Sequence, residues 1–400
     1  MSDTGFSSAT LTAGPAQHRR HRPGPEDATA SAGPASATAR IAAWRDLAGR
    51  SADANVFFHP GILLPAIDHL DPAIALATVS DGRGRLIALA PVHHERLGKI
   101  SPALWVWVHD YAPLGTPLID GQALAAAADG LIRRLGSGSL VIPDLTTRSD
   151  TAAALCEAAE RAGRPWTIIG EQPRAVLDQT PAGADVRATL PARRRKELAR
   201  QMRRLAEIGG LTVETALEPD HVRARFEEFL ILEAAGWKGE EGTALAAQAA
   251  TAAFSREIVF NRSERGTTRI VSIRLGDHPV AIVVCFVAGS TAYAWKTAYD
   301  EHFARFSPGV QVMLEAADSL LADPAIARID SCAAPNNAMI NQIWQDRMEV
   351  GALVIGPVGG GALYRTGLAA FRTEIAARAT TKSLWARLAT QRHHPGKTPS

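Results

Sequence analysis

Residues 268–323 read TRIVSIRLGDHPVAIVVCFVAGSTAYAWKTAYDEHFARFSPGVQVMLEAADSLLAD, and their pattern decides the fold. Thr268–Leu275 is rich in β-branched residues. Gly276-Asp277 and Gly289-Ser290 are two-residue turns with glycine first, the chemistry of a tight hairpin. Between them Pro279–Ala288 is apolar enough to be buried on both faces. Thr291–Ala298 is a third strand, so the stretch predicts an antiparallel meander. An irregular loop, Tyr299–Phe306, then leads to a helix opened by Ser307-Pro308-Gly309 and running to about Ala322. Serine caps, proline suits the first helical turn, and Gly309 would let a ligand approach the backbone. A helix start presents free N–H groups and a positive dipole end, the chemistry that holds phosphate.

A linked set of residues carries a resemblance. It comprises Gly236-Trp237-Lys238-Gly239, Ala294–Asp300 (AWKTAYD), Phe303-Ala304, Ser307-Pro308-Gly309, Asp330 and Trp344…Arg347. Together they resemble the CelD/BioF-like, FemAB-like branch of the GNAT acyltransferase superfamily over roughly residues 187–357. The resemblance implies that the strand–loop–helix unit holds the acyl-CoA pyrophosphate on backbone amides, with Arg305, Ser307, Pro308, Gly309 and Val310 at the donor site. The usual GNAT loop is Arg/Gln-x-x-Gly-x-Gly/Ala, and this chain instead has RFSPGV at 305–310. FemAB-like relatives take the acyl group from aminoacyl-tRNA, which keeps that donor as the alternative.

The chain has 400 residues, enough for two or three cores. Hydrophobic content of 46%, charge of 21% and a net charge of +2 fit an ordinary globular protein and argue against a generic polyanion binder. Cys156, Cys285 and Cys332 are widely separated, so a reducing compartment without disulfides is expected, and no metal site. No run approaches the roughly 20 apolar residues of a membrane span, and no secretory signal is apparent, so the expected location is the cytoplasm. Oligomeric state is not legible.

Residues 1–39 are poor in large apolar side chains and predict a disordered tail; residues 381–400 predict a loose basic one. Meander, Gly/Pro loop, helix and strand occur at about 73–143 and again at about 268–330. This predicts an α+β protein of two tandem GNAT-like lobes, 40–180 and 187–380, each a mostly antiparallel mixed sheet flanked by helices. Pro165–Gly170 and Arg174–Leu177 read as separate strands, 236–242 as a loop, and Gly361–Ala377 as the closing helix. Between the lobes Arg193, Arg194, Arg195, Lys196, Arg200, Arg203 and Arg204 share one helix. Leu198, Met202, Leu205 and Ile208 recur there at helical spacing, so the cations face outward, as a solvated face or a phosphate contact.

Acyl transfer to an amine needs a positioned carbonyl, an N–H for the oxyanion and a proton acceptor. The candidates are Lys296, Tyr299, Asp300 and Glu233. Lys296 lies mid-strand, either as an edge-strand solubility device or facing a cleft, and strict alternation sends it and Trp295 to opposite faces. Tyr299 and Asp300 suit a proton relay, although Asp300 also suits an Asx turn. Glu233 is a base or a surface acid. Trp237, in a glycine-flanked loop, is an expected cover; with Lys238, Trp295, Arg194 and Arg195 it makes up the expected substrate contacts. The implied activity is N-acyl transfer from acyl-CoA, acetyl-CoA above all, to a small-molecule amine. No tightly bound cofactor is expected, and nucleic acid is not the expected partner. A non-catalytic module in polysaccharide biosynthesis is a further alternative.

Overall fold

The computed structural model describes residues 37–179 and 186–392, and of 379–392 the backbone alone. Most of the expected N-terminal tail and the last eight residues lie outside the described residues. The N-terminal lobe contains α1 (Ala37–Arg50), α2 (Pro60–His69), β1 (Ala75–Ser80), β2 (Leu86–Leu97), β3 (Ser101–Val106), β4 (Leu118–Ile119), α3 (Leu124–Arg134), β5 (Ser139–Thr146), α4 (Asp150–Arg161) and β6 (Trp166–Asp178). The arginine-rich α5 (Ala192–Ala206) follows. The C-terminal lobe contains β7 (Leu211–Ala216), α6 (Pro219–Ala235), α7 (Trp237–Glu240), α8 (Ala249–Ser263), β8 (Thr268–Leu275), β9 (His278–Ala288), β10 (Thr291–Tyr299), α9 (Pro308–Leu321), β11 (Arg328–Asp330), α10 (Ala338–Asn341), β12 (Asp346–Ile355) and α11 (Ala362–Arg392).

The meander folds as its pattern predicts. Both turn glycines take positive φ, and β9 is buried without a break from Val280 to Phe286. Each of its large apolar side chains contributes about 1.5–3 kcal/mol on removal from water. In each lobe an antiparallel set, β1-β2-β3 or β8-β9-β10, is followed through a loop and helix by a parallel strand. Thus β3 pairs β5 and β10 pairs β11. The chain is α+β with two tandem lobes of this plan.

The lobes then exchange their last strands. The order of the sheet is β1-β2-β3-β5-β12-β6-β11-β10-β9-β8-β7, with β4 beside β2. So β6 adds to the C-terminal lobe beside β11, β12 adds to the N-terminal lobe beside β5, and the two meet antiparallel at the centre. One core runs through both lobes on one face, where α2 packs on α8. A second lies under α5 and α9, and a third under α11.

Three boundaries differ from expectation. The two strands read at 165–177 are one, bent at Gly170, whose φ of +67° lets the strand bulge without breaking. Residues 237–240 form a helical turn rather than loop, because Glu301 accepts the Trp237 N–H at its start (2.8 Å). Helix α11 runs to Arg392, past Ala377 and into the expected loose tail, since neither glycine nor proline interrupts 368–392. Among the described residues, no helix is long and apolar enough to cross a membrane.

Strand exchange makes the lobes interdependent. A fragment of residues 187–380 lacks β6 and leaves edges of both β11 and β12 unpaired. We expect it to show no cooperative melting transition, and co-expression with residues 37–186 to restore one. Circular dichroism melts of the fragment alone and of the co-purified pair check this.

Candidate active site

Strands β10 and β11 are paired only through Thr291–Tyr293 and Arg328–Asp330. Past that point the Ser331 N–H goes to Ala175 O of β6 (3.2 Å), while β10 continues to Tyr299. A wedge therefore opens between the two strands at the middle of the sheet.

Along β10 the pairing with β9 shifts between Ala294 and Lys296, leaving Trp295 as the extra residue of a β-bulge. The expected opposition of Trp295 and Lys296 is overturned for that reason. Both reach Tyr111 on the same side: the Trp295 indole N–H donates to Tyr111 O (3.0 Å), and Lys296 Nζ sits 4.6 Å from the Tyr111 ring centroid. A bulge resets the alternation, so Thr297 and Tyr299 face α9 instead. Thr297 Oγ1 touches Met313, and Tyr299 packs in the core beneath α9.

Glu233, near the end of α6, is buried. Its Oε1 accepts from Lys238 Nζ (2.8 Å) and its Oε2 from the Leu245 N–H (2.9 Å); Lys238 also donates to Thr297 O (3.2 Å). A buried carboxylate is tolerable only when so compensated. Lys238 lies 5.9 Å from the Trp237 ring centroid, and Trp237 is half-buried. Lys296 is also half-buried, and among the described residues nothing accepts a hydrogen bond from its ammonium. Burial, reinforced by the nearby Lys238 charge, lowers its pKa to about 8 against the opposing pull of Glu233 and Asp110.

The far wall comes from the N-terminal lobe, which the sequence reading treats only as a strand and a Pro/Gly loop. Tyr111 stacks on Phe254 of α8 (6.1 Å between centroids), and His109 lies between Trp107 (5.9 Å) and Tyr111 (5.0 Å). Burial, helped by Glu233 and Asp110, pushes the Tyr111 phenol up to about 12, and burial lowers the His109 pKa. The loop is pinned from both lobes. Asn55 donates to Leu114 O and Thr116 O, and Arg174 of β6 donates to Pro113 O (2.8 Å). Gly115 passes so close to Pro143 O that a Cβ would lie 1.9 Å from it. The interleaved aromatics and histidine of WVWVHDY (105–111) were the signal available in sequence.

Helix α9 does not start as its sequence predicts. Ser307 does not cap with its side chain; it takes φ +52° and turns the chain into the helix. Packing alone already favours glycine at 309, since a Cβ there would meet the Tyr299 ring at 3.2 Å and Met339 Sδ at 3.4 Å. Among the described residues the Gly309 and Val310 N–H groups have no backbone acceptor, and Pro308 carries no N–H, so two donors remain at the helix start. Arg305 is exposed, its guanidinium 4.7 Å from the Phe306 ring centroid. Asp300 makes the Asx turn, accepting from the His302 N–H and bridging His278 and His302; no contact joins it to Lys296. In α5, Arg194 pairs with Glu197 and Arg195 reaches Ala188 O. Gln201 of α5 donates to Arg305 O (3.3 Å), which places the arginine helix beside the loop.

The lobe that carries this wedge and helix start has known counterparts. Residues 192–337 match the Acetyltransferase (GNAT) domain family. That region is therefore similar to GNAT acetyltransferase domains. The crystal structure of FemX superposes with a TM-score of 0.54 at 9% identity, covering 78% of this chain and 95% of FemX. The C-terminal domain of a protein described as a lysylphosphatidylglycerol synthetase from Agrobacterium fabrum gives 0.51 at 13% identity, over 84% of this chain and 97% of that one. A conserved protein of unknown function from Bacteroides thetaiotaomicron gives 0.50 at 13%, over 79% and 97%. At such identities these likenesses speak to the fold alone. No curated protein sequence matches.

Lys296 has a stability signature. The Lys296 pKa is depressed on folding, so its charge destabilises the fold fully below pH 8, and that cost disappears between pH 8 and 10.5. Lys296→Met should therefore melt several degrees higher at pH 7, with the difference closing as pH rises through that window. Differential scanning fluorimetry at pH 7, 9 and 10.5 checks it.

Proposed function

We propose that this chain transfers an acyl group, acetyl in the first instance, from acyl-CoA to the amino group of a small-molecule acceptor in the wedge between β10 and β11. The observation that carries the reading is Lys296, a half-buried amine with lowered basicity and, among the described residues, no protein acceptor, where the bulge turns it toward the wedge. The two free amides at the start of α9, with Arg305 beside them, suit the donor's pyrophosphate.

In the proposed step the acceptor nitrogen attacks the thioester carbonyl and the C–S bond breaks. The proton leaving nitrogen passes to neutral Lys296 Nζ and on to the departing thiolate. Glu233 holds Lys238 in place, and Lys238 keeps Lys296 from retaining its proton. Trp237 and Trp295 flank the reacting groups and restrict water. An amino sugar of the cell-envelope kind is the acceptor class suggested by the CelD/BioF-like resemblance.

A second reading rests on α5. Arg193, Lys196, Arg200 and Arg203 form one stripe without carboxylate partners among the described residues, next to the Arg305 loop. That surface suits an aminoacyl-tRNA donor, and binding of tRNA whose affinity falls steeply with salt would favour it.

If Lys296 accepts the proton, Lys296→Ala and Lys296→Arg should both lower kcat by about 10²-fold or more, because arginine cannot deprotonate. Wild-type kcat/KM with acetyl-CoA should rise with pH and level off above about 8. Full activity in Lys296→Arg would reassign the residue to oxyanion stabilisation. Separately, Arg305→Ala should raise KM for acetyl-CoA about tenfold, about 1.4 kcal/mol. Because Arg305 is exposed, kcat and melting temperature should hold in steady-state kinetics and thermal melts.

A further inference from the structure

The loop that reaches across from the N-terminal lobe supplies an aromatic face against Lys296. Its backbone is fixed without help from the Tyr111 side chain: Tyr111 O takes the Trp295 indole N–H, Pro113 O takes Arg174, and Asn55 holds Leu114 O and Thr116 O. The ring is braced from behind by Phe254. The Tyr111 ring face is thus a built, rigid platform, with the ammonium 4.6 Å from its centroid.

We propose that Tyr111 is a positioning residue for acyl transfer, contributed by the lobe that carries no donor loop. Its ring holds Lys296 Nζ at the wedge and, by excluding water, sets how readily that amine gives up its proton. This rests on the role proposed for Lys296 above.

Two opposing effects meet at the ring, and they can be separated by sign. The π face stabilises the ammonium and favours the charged form. The body of the ring displaces water and favours the neutral form. The other groups facing Lys296 are Lys238 from α7, which disfavours its charge, Glu233 from α6, Asp110 in the loop and Cys332 after β11, which favour it, and His109 of the same loop, whose own charge Lys296 disfavours. None of these changes when Tyr111 alone is substituted. Because burial is the largest influence on Lys296, water exclusion should outweigh the loss of the π face when the ring is removed entirely.

Three variants of the full chain distinguish the parts. Tyr111→Phe keeps both effects and should leave Lys296 unchanged. Tyr111→Leu keeps most of the exclusion and loses the π face, so the Lys296 pKa should fall further below 8. Tyr111→Ala admits water, so it should climb toward the ordinary 10.5. The measurement is trace labelling of Lys296 with isotopic acetic anhydride across pH 6–11, read on the Lys296 peptide by mass spectrometry, with melting temperatures recorded alongside. It needs no substrate and no turnover.

Titration curves that move in opposite directions for leucine and alanine, with phenylalanine superposing on wild type, support the proposal. The limb of kcat/KM against pH should move with them, which a merely structural tyrosine would not cause. Superposition of all four titration curves overturns it, as does a displacement by phenylalanine equal to that by alanine, which would put the effect in the hydroxyl. If the titrations behave as expected and no acyl donor supports turnover, the coupling stands and the function proposed for the site fails. Turnover with an unmoved titration would keep that function and overturn the coupling.

Discussion

Pairing of β6 with β12 is the constraint on which the site depends. Each strand closes the other lobe's half of the sheet, and the two meet antiparallel from Trp166–Val176 to Asp346–Ile355. Backbone hydrogen bonds of this kind leave little freedom of rotation between the lobes. That rigidity holds the loop of residues 107–117 in place against β10 and α8. The buried Arg174 shows the same logic in one side chain: it sits on β6, approaches Asp330 of β11 (3.5 Å) and donates to Pro113 O.

Inside that frame, the bulge at Trp295 decides what the wedge contains. A regular β10 would send Lys296 into the apolar core beneath α9, among Val312, Met313 and Leu314. There a cation has no water and no partner, and burial would be prohibitive. One extra residue instead gives it an aromatic face, the neighbouring Glu233–Lys238 pair and an open side. The lowered basicity of Lys296 follows from that placement, burial being its largest cause.

The meander was legible because its signals are local: glycine turns, β-branched runs and one strand apolar on both faces. The tandem plan was legible because the same order of elements recurs. What escaped the sequence reading is non-local. Alternation on β10 fails at a bulge marked by no glycine or proline, since its cause is the pairing partner β9 and the aromatic contacts beyond it. Gly309 carries the right residue for a reason that only the packing of Tyr299 and Met339 reveals. Glu233 and Lys238 are close in sequence, yet their pairing depends on a helical turn whose first N–H is held by Glu301, 64 residues away. Tyr111 lies far from every C-terminal motif, and only the strand exchange makes it a neighbour.

The two lobes repeat one plan but divide the work, and the sheet shows how. In the N-terminal lobe β3 ends at Val106, one residue past its parallel pairing with β5 at Trp105, so no wedge forms. Its following loop is free to cross the seam, and α3 begins at Leu124 without a side-chain cap, well away from that strand end. In the C-terminal lobe β10 outruns its pairing with β11 by the whole segment Ala294–Tyr299, and α9 begins soon after, with two amides left over. A longer third strand creates the wedge, and a longer third-strand loop in the other lobe covers it. Neither device works alone: the wedge without the loop would leave Lys296 wet and fully basic, and the loop without the wedge would wall off nothing. Joining both in one continuous sheet brings the loop of one lobe against the open strand of the other.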